Sequence, residues 1–305
     1  MTSILSGRDG GAIDGGDDST PRGRAFAGLA AELESRNVQP VVVASHPRSG
    51  THLLIDSLRL NCPECQSYKW LGERQDRLYL NVDHVGGTPP LAAGAVRRIM
   101  LRPTRPIIKT HAWPGFQRTM FQGDDTRHPA VFFDWLERSA AQLYIYRDGR
   151  EVMRSLHTFM RDFDPTAHVS LGEFIRQEVH GMSRPRAWAE HVRQWSLRPD
   201  VYCVRMESLV RMPALTIAQV AERLRLRLAS TISQPAQTRS PRGSLIQRLT
   251  QVRPQSTAIL AHARARIPPW QEQLTRDDMK FLRDETGDLL VKLKYEQSSE
   301  WPDRY

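Results

Sequence analysis

Arg48, Lys109, His111 and Arg147 carry side chains suited to moving an anionic group, and each lies in a segment with a recognisable local pattern. A neutral imidazole takes a proton from an alcohol or amine near neutral pH. An ammonium or guanidinium stabilises charge developing on a transferring group. Lys109 and His111 stand two apart in Arg105-Pro-Ile-Ile-Lys-Thr-His111, so a strand there puts both on one face. Arg48 is followed at once by Ser49, Gly50, Thr51 and His52. Arg147 precedes Ser155 by eight residues in Leu143-Tyr-Ile-Tyr-Arg-Asp-Gly-Arg-Glu-Val-Met-Arg-Ser155. A planar guanidinium offers several hydrogen-bond donors to an anion.

These residues need particular elements to hold them. Val41 to Val43 are β-branched and suit a buried strand. His46 to Gly50 hold the Pro, Ser and Gly of a loop, and Leu53, Leu54, Ile55, Leu58 and Leu60 supply the apolar face of a helix starting at Thr51. Strand, small-residue loop and helix N-terminus together form an anion cradle. The loop is not a Walker A motif. Position 45 is Ser rather than Gly, and no Lys separates Gly50 from Thr51. Pro106 to Ile108 predict a second strand with Lys109 and His111 at its C-terminal end, where open parallel sheets bind ligands. Leu143 to Tyr146 predict a third strand, Asp148-Gly149 a turn, and Glu151 onward a helix with Asp148 as its N-cap.

Pro47-Arg-Ser-Gly-Thr51, Lys109-Thr-His111 and Arg147 with Ser155, in this order, resemble the sulfotransferases that use 3′-phosphoadenosine 5′-phosphosulfate (PAPS). Trp188-Ala-Glu-His191-Val192-Arg-Gln-Trp195 is similar to that family's W-x-x-H-V-x-x-W helix, and Val201 to Glu207 to the strand after it. The likeness runs from about residue 39 to about 210 and more faintly to about 296. It implies a three-layer α/β/α fold with a central parallel sheet, related to the P-loop NTPases. It implies that Arg48, Ser49, Gly50, Thr51 and His52 bind the 5′-phosphosulfate and that Arg147 and Ser155 bind the 3′-phosphate. His111 becomes the general base, and Lys109 and Arg48 stabilise the leaving oxygen. The product nucleotide is adenosine 3′,5′-bisphosphate (PAP), the acceptor a small-molecule hydroxyl or amine, and no metal takes part.

Several positions depart from the family pattern. Arg48 replaces the usual Lys, Leu53 a Trp that stacks on adenine, and Met206 a Tyr beside the base. The family's C-terminal phosphate loop corresponds to Arg264-Ala-Arg266-Ile-Pro-Pro-Trp270, which keeps cations and Trp but not the glycines. Arg264 or Arg266 is expected on the 3′-phosphate. The animal dimer motif K-x-x-x-T-V-x-x-x-E is absent after Trp270, which leaves a homodimer open.

Composition bounds the rest. At 305 residues the chain can bury one sizeable core, read as a single domain over 23–305 behind a disordered tail at 1–22, with a mobile loop at 229–256. The net charge of +9 favours anions, but no basic block interleaved with aromatics marks a nucleic-acid surface. Three Cys predict a reducing compartment, and Cys62-Pro-Glu-Cys65 lacks the second pair that a zinc site needs. With no signal-peptide core and no membrane-length apolar run, the expected location is cytoplasmic, without stable membrane insertion. Helices are predicted from Ala25 to Ser35, Asp134 to Ala141, over 171–197 and 213–228, and from Thr275 through Leu289. Tyr68, Trp70, Tyr79, His84 and the segment Trp113 to Arg127 are candidates for the acceptor pocket. Two other classes fit less of the pattern. A phosphoryl-transferring kinase would want a Lys after Gly50 and an Asp-ended strand for Mg²⁺. A non-catalytic nucleotide-binding module would leave His111 idle.

Overall fold

The computed structural model describes residues 20–66, 78–85, 91–115, 129–234 and 268–305. Its centre is a five-stranded parallel sheet in the order β2-β3-β1-β4-β7, built from β1 (Val41–Ala44), β2 (Leu80–Asn81), β3 (Ile107–Thr110), β4 (Ala141–Tyr146) and β7 (Val201–Arg205). Val41 pairs with Ile107 on one side and Ala141 on the other, so β1 is central.

All four residues of β1 are buried, as expected of a parallel strand covered on both faces. Alternate residues serve opposite cores. Val42, Ala44, Ile108 and Tyr144 join one cluster, with residues from the helices Pro21–Ser35, Ala130–Ser139 and Arg184–Ser196. Val41, Val43, Ile107, Leu143 and Ile145 join the other, with residues from the helices Thr51–Asn61 and Pro213–Leu224. The result is the expected three-layer α/β/α fold.

The chain order of the strands fixes where a ligand can bind. After β1 the chain builds β2 and β3 on one side, then returns to build β4 and β7 on the other. The C-terminal end of β1, between β3 and β4, is therefore the topological switch point, where open α/β sheets open a crevice.

Some boundaries differ from the sequence expectation. The first helix begins at Pro21, because Thr20 caps it by accepting from the Gly23 N–H and Pro21 suits the first turn. Residues 21 and 22 are thus helical rather than part of a tail. The single helix expected over 171–197 is two, Leu171–Arg176 and Arg184–Ser196, separated by an antiparallel hairpin of β5 (Glu178–Val179) and β6 (Met182–Ser183). His180 and Gly181 both take positive φ, 54° and 70°, which is the backbone demand of a tight hairpin turn. The helix Arg276–Thr286 starts on the Thr275–Asp278 capping box as predicted, but Gly287, at φ 58°, ends it before Leu289. The helix Ala93–Met100 and the edge strand β2 are not among the elements predicted from the sequence. Among the described residues, no helix is long and apolar enough to cross a membrane.

Candidate active site

The three sequence motifs meet at the switch point. Beyond β1 the loop runs from Ser45 to Gly50 into the helix Thr51–Asn61. Arg48 (φ 69°) and Gly50 (φ 98°) are both left-handed, with Ser49 between them, a backbone pattern that builds anion nests. Holding a non-glycine residue such as Arg48 there costs about 1–2 kcal/mol, a strain characteristic of functional loops. The Ser45 and Thr51 hydroxyls lie 2.5 Å apart and close the base of the loop. The Ser49 hydroxyl is fully buried and has no hydrogen-bond partner among the described residues.

Arg48 turns toward the helix Gly149–Met160, where its Nε–H donates to Ser155 Oγ at 3.2 Å and its guanidinium lies 4.7 Å from the centre of the Phe159 ring. Arg147, just past β4, directs one guanidinium N–H at the Arg48 carbonyl oxygen (3.5 Å) and pairs with Glu151 at 2.9 Å. Glu151 also pairs with Arg154. Burial, and then the like charge of Arg147, pushes the Arg48 pKa down. Two adjacent guanidinium groups are thus held where an anion would relieve their repulsion.

On the other side of β1, His111 leaves β3 with its Nδ1 2.8 Å from the Ser45 carbonyl oxygen. A carbonyl can only accept, so Nδ1 carries the hydrogen and the Nε2 lone pair stays available. Burial and the positive charge of Lys109 hold the His111 pKa well below 6.5, so the ring is neutral at physiological pH. Lys109 Nζ lies 3.4 Å from Asp83, and burial outweighs that carboxylate in lowering the ammonium's pKa. Asp83 also accepts from the Thr110 hydroxyl at 2.8 Å and the His111 backbone N–H at 3.2 Å. His52, in the first turn after the loop, meets the Tyr79 ring edge-on at 5.6 Å. Burial and the charges of Lys109 and Arg48 hold its pKa at about 4.

Arg48, Ser49, Gly50, Thr51, His52, Lys109, His111, Arg147 and Ser155 therefore all lie at or just beyond the C-terminal ends of β1, β3 and β4. Arg264 and Arg266 lie outside the described residues, as do Tyr68 and Trp70 and most of the 229–256 segment. Trp270 is a buried anchor that packs with Trp301 against Arg150. Met206 lies against the glycine of the loop: a Cβ on Gly50 would sit 2.9 Å from its Cγ. Trp113 stands edge-on to His191 at 5.1 Å and to His180 at 6.4 Å. Cys62, Cys65 and Cys203 are unbridged, and among the described residues no cluster of three or more His, Cys, Asp or Glu could hold a metal ion.

Asp83 carries no sequence signal, because nothing marks a single carboxylate outside any motif. Tyr144 reads as an ordinary strand residue. His191 stood in a noted motif, but no role could be read from it.

The buried imidazoles make stability depend on pH. His46 and His52 are held at about 4 and His191 at about 3, chiefly by burial, and His111 is also depressed. Folded-state values below the unfolded value of about 6.5 mean that the unfolded chain binds more protons in mild acid. Their contribution is complete above pH 6.5 and is lost progressively as pH falls toward 4 and 3. Urea unfolding at pH 5 is expected to show a stability lower than at pH 7.5 by about 1 kcal/mol or more per imidazole. Equal midpoints and slopes at the two pH values would contradict this.

The family model described as "Sulfotransferase domain" matches residues 39–287. The structure is similar to that of the mouse sulfotransferase SULT7A1 complexed with PAP, with a TM-score of 0.50 and 14% identity over 91% of this chain and 92% of that one. At that identity the likeness speaks for the fold. No curated protein sequence matches the chain. A domain match spanning most of the sequence, on the parallel α/β fold that the strand–loop–helix motif requires, establishes that the chain belongs to the sulfotransferase family.

Proposed function

We propose that the protein transfers a sulfuryl group from PAPS to a hydroxyl or amine of a small-molecule acceptor, with His111 as general base. The observation that carries this reading is the His111 imidazole. It is neutral, and its Nδ1–H is spent on the Ser45 carbonyl, so Nε2 remains as the proton acceptor beside the anion loop.

The crevice suits such a donor. The Ser49 hydroxyl is buried without a partner among the described residues, and Arg48 and Arg147 form a crowded cationic pair. Arg48, Ser49, Gly50, Thr51 and His52 would hold the 5′-phosphosulfate. Arg147 and Ser155 would hold the 3′-phosphate, with Arg264 or Arg266 as a further cation. When bound, PAPS supplies a sulfuryl group already activated by its link to phosphate. His111 takes the acceptor's proton at Nε2. Lys109 and Arg48 present positive charge where the departing oxygen becomes negative, a preorganised electrostatic contribution. These cationic side chains do the work without a metal. Three unbridged Cys are in keeping with a reducing cytoplasm.

The 3′-phosphate assignment has its own test. Calorimetric titration of Arg147→Ala with PAP should show an affinity loss of about 10- to 100-fold, the worth of charge-assisted hydrogen bonds. AMP, which lacks the 3′-phosphate, should bind both proteins alike. Unchanged PAP affinity in the variant would remove Arg147 from the site.

A further inference from the structure

Beneath the site a chain of hydrogen bonds runs from β4 to the strand end that bears His111. Tyr144, on β4, is fully buried, and its hydroxyl lies 2.9 Å from His191 Nδ1. His191 Nε2 lies 3.2 Å from the His111 carbonyl oxygen and 3.1 Å from that of Ala112. Both carbonyls accept only, so Nε2 must carry the hydrogen. Nδ1 is then the bare nitrogen, and the Tyr144 hydroxyl donates to it. The His191 ring also meets the ring of His46, the second residue of the loop after β1, edge-on with centroids 5.7 Å apart. Trp195, one turn further along the helix that carries His191, donates its indole N–H to the Ala112 carbonyl at 3.0 Å. One end of the bridge therefore grips the main chain of the strand end bearing His111, and the other packs against the start of the loop bearing Arg48.

We infer that Tyr144 and His191 are positioning residues: they lock the backbone at His111 and Ala112 against the His46 loop, so that the His111 Nδ1–H meets the Ser45 carbonyl and Nε2 is left to act. Neither residue has been given a role in the reaction above. The geometry reaches the base through its peptide, not through its ring. Burial leaves no water to replace a lost partner, so removing one link orphans another. Tyr144 also stacks on Trp195, with ring centres 5.6 Å apart and planes within 8°, so Tyr144→Phe removes the hydroxyl while keeping the packing. The inference rests on the reading of His111 as general base.

The test is ¹⁵N NMR of the histidine side chains in the full-length protein. The wild type should show His111 as a single neutral tautomer with Nδ1 protonated. Tyr144→Phe should turn that into a mixture of tautomers, and His191→Leu should lose the Nδ1–H signature altogether. Trp188→Phe, which thins the buried face of the same helix, serves as the control for mere destabilisation and should leave the tautomer intact. If Tyr144→Phe, shown by circular dichroism to be folded, keeps the wild-type His111 spectrum, the positioning role is wrong. Titration of the wild type with PAP in the same samples reports the functional reading separately, because the tautomer is read with no ligand bound.

Discussion

Replacing His111 with Ala is expected to lower sulfuryl transfer by about 10²- to 10⁴-fold, the usual contribution of a positioned general base. PAP affinity should stay within about threefold of the wild type, since the proposed nucleotide contacts fall to other residues. The two halves of this expectation come from different observations. His111 hydrogen-bonds Ser45 through Nδ1, so its ring is oriented by the fold and not by the donor. Its depressed pKa keeps it neutral, so its charge contributes nothing to holding an anion at pH 7. The same depression sets a pH signature. Base catalysis by His111 should persist below pH 6.5, with the acid limb of kcat displaced downward from an ordinary histidine's. Radiolabelled transfer to an acceptor, compared with calorimetric PAP binding, checks both halves. Near-normal turnover in the variant would end the assignment of His111 as base.

Gly50→Ala should damage the loop through both backbone strain and a steric clash. The backbone at Gly50 sits at φ 98°, which side-chain-bearing residues rarely adopt, and the strain alone costs about 1–2 kcal/mol. The added Cβ would meet Met206 Cγ at 2.9 Å, Met206 Sδ at 3.2 Å and Ile145 Cδ1 at 3.3 Å. Met206 is unbranched and can shift, whereas Ile145 is fully buried on β4. The combined cost is expected to reach about 2–3 kcal/mol in urea unfolding, with a PAP affinity at least about tenfold weaker. Gly50→Ala combined with Met206→Ala separates the two causes, because it removes the contact and leaves the φ strain. The double variant should recover part of the stability that the sum of the single changes predicts to be lost. An unaltered unfolding curve for Gly50→Ala would show that the loop relaxes freely and is not a preformed cradle.

The elements around the crevice were the most legible part of the sequence. Three β-branched residues running into Pro, Ser and Gly, and then into a 3.6-residue apolar repeat, admit little besides strand, loop and helix. Asp148 and Thr275 announced helix starts through capping chemistry that is local, so sequence suffices to read it. The hairpin at Glu178–Ser183 was not legible, because two positive-φ residues interrupted a stretch whose apolar spacing reads as continuous helix. Edge strand β2 was missed for a related reason: two residues of strand carry too little pattern to see. Lys109 and His111 could be singled out from their types and spacing on a strand, whereas Arg147 and Ser155 stand out only through the family resemblance. Asp83, Tyr144 and His191 could not be given roles. Each acts through contacts 26 to 80 residues away in sequence, and only the folded sheet brings those together.

The most direct test of the account is a thermal-shift titration of the full-length chain with PAP, run beside AMP and ATP·Mg. Ligand that binds the native state alone stabilises it by about 2.7 kcal/mol at a hundredfold excess over Kd. A PAP-selective rise in Tm, with little response to AMP or ATP·Mg, is the predicted result, because the proposed site pairs the loop at Arg48–His52 with Arg147 and Ser155 for a 3′-phosphate. A rise with ATP·Mg alone, or with none of the three, would contradict a PAPS-dependent sulfotransferase.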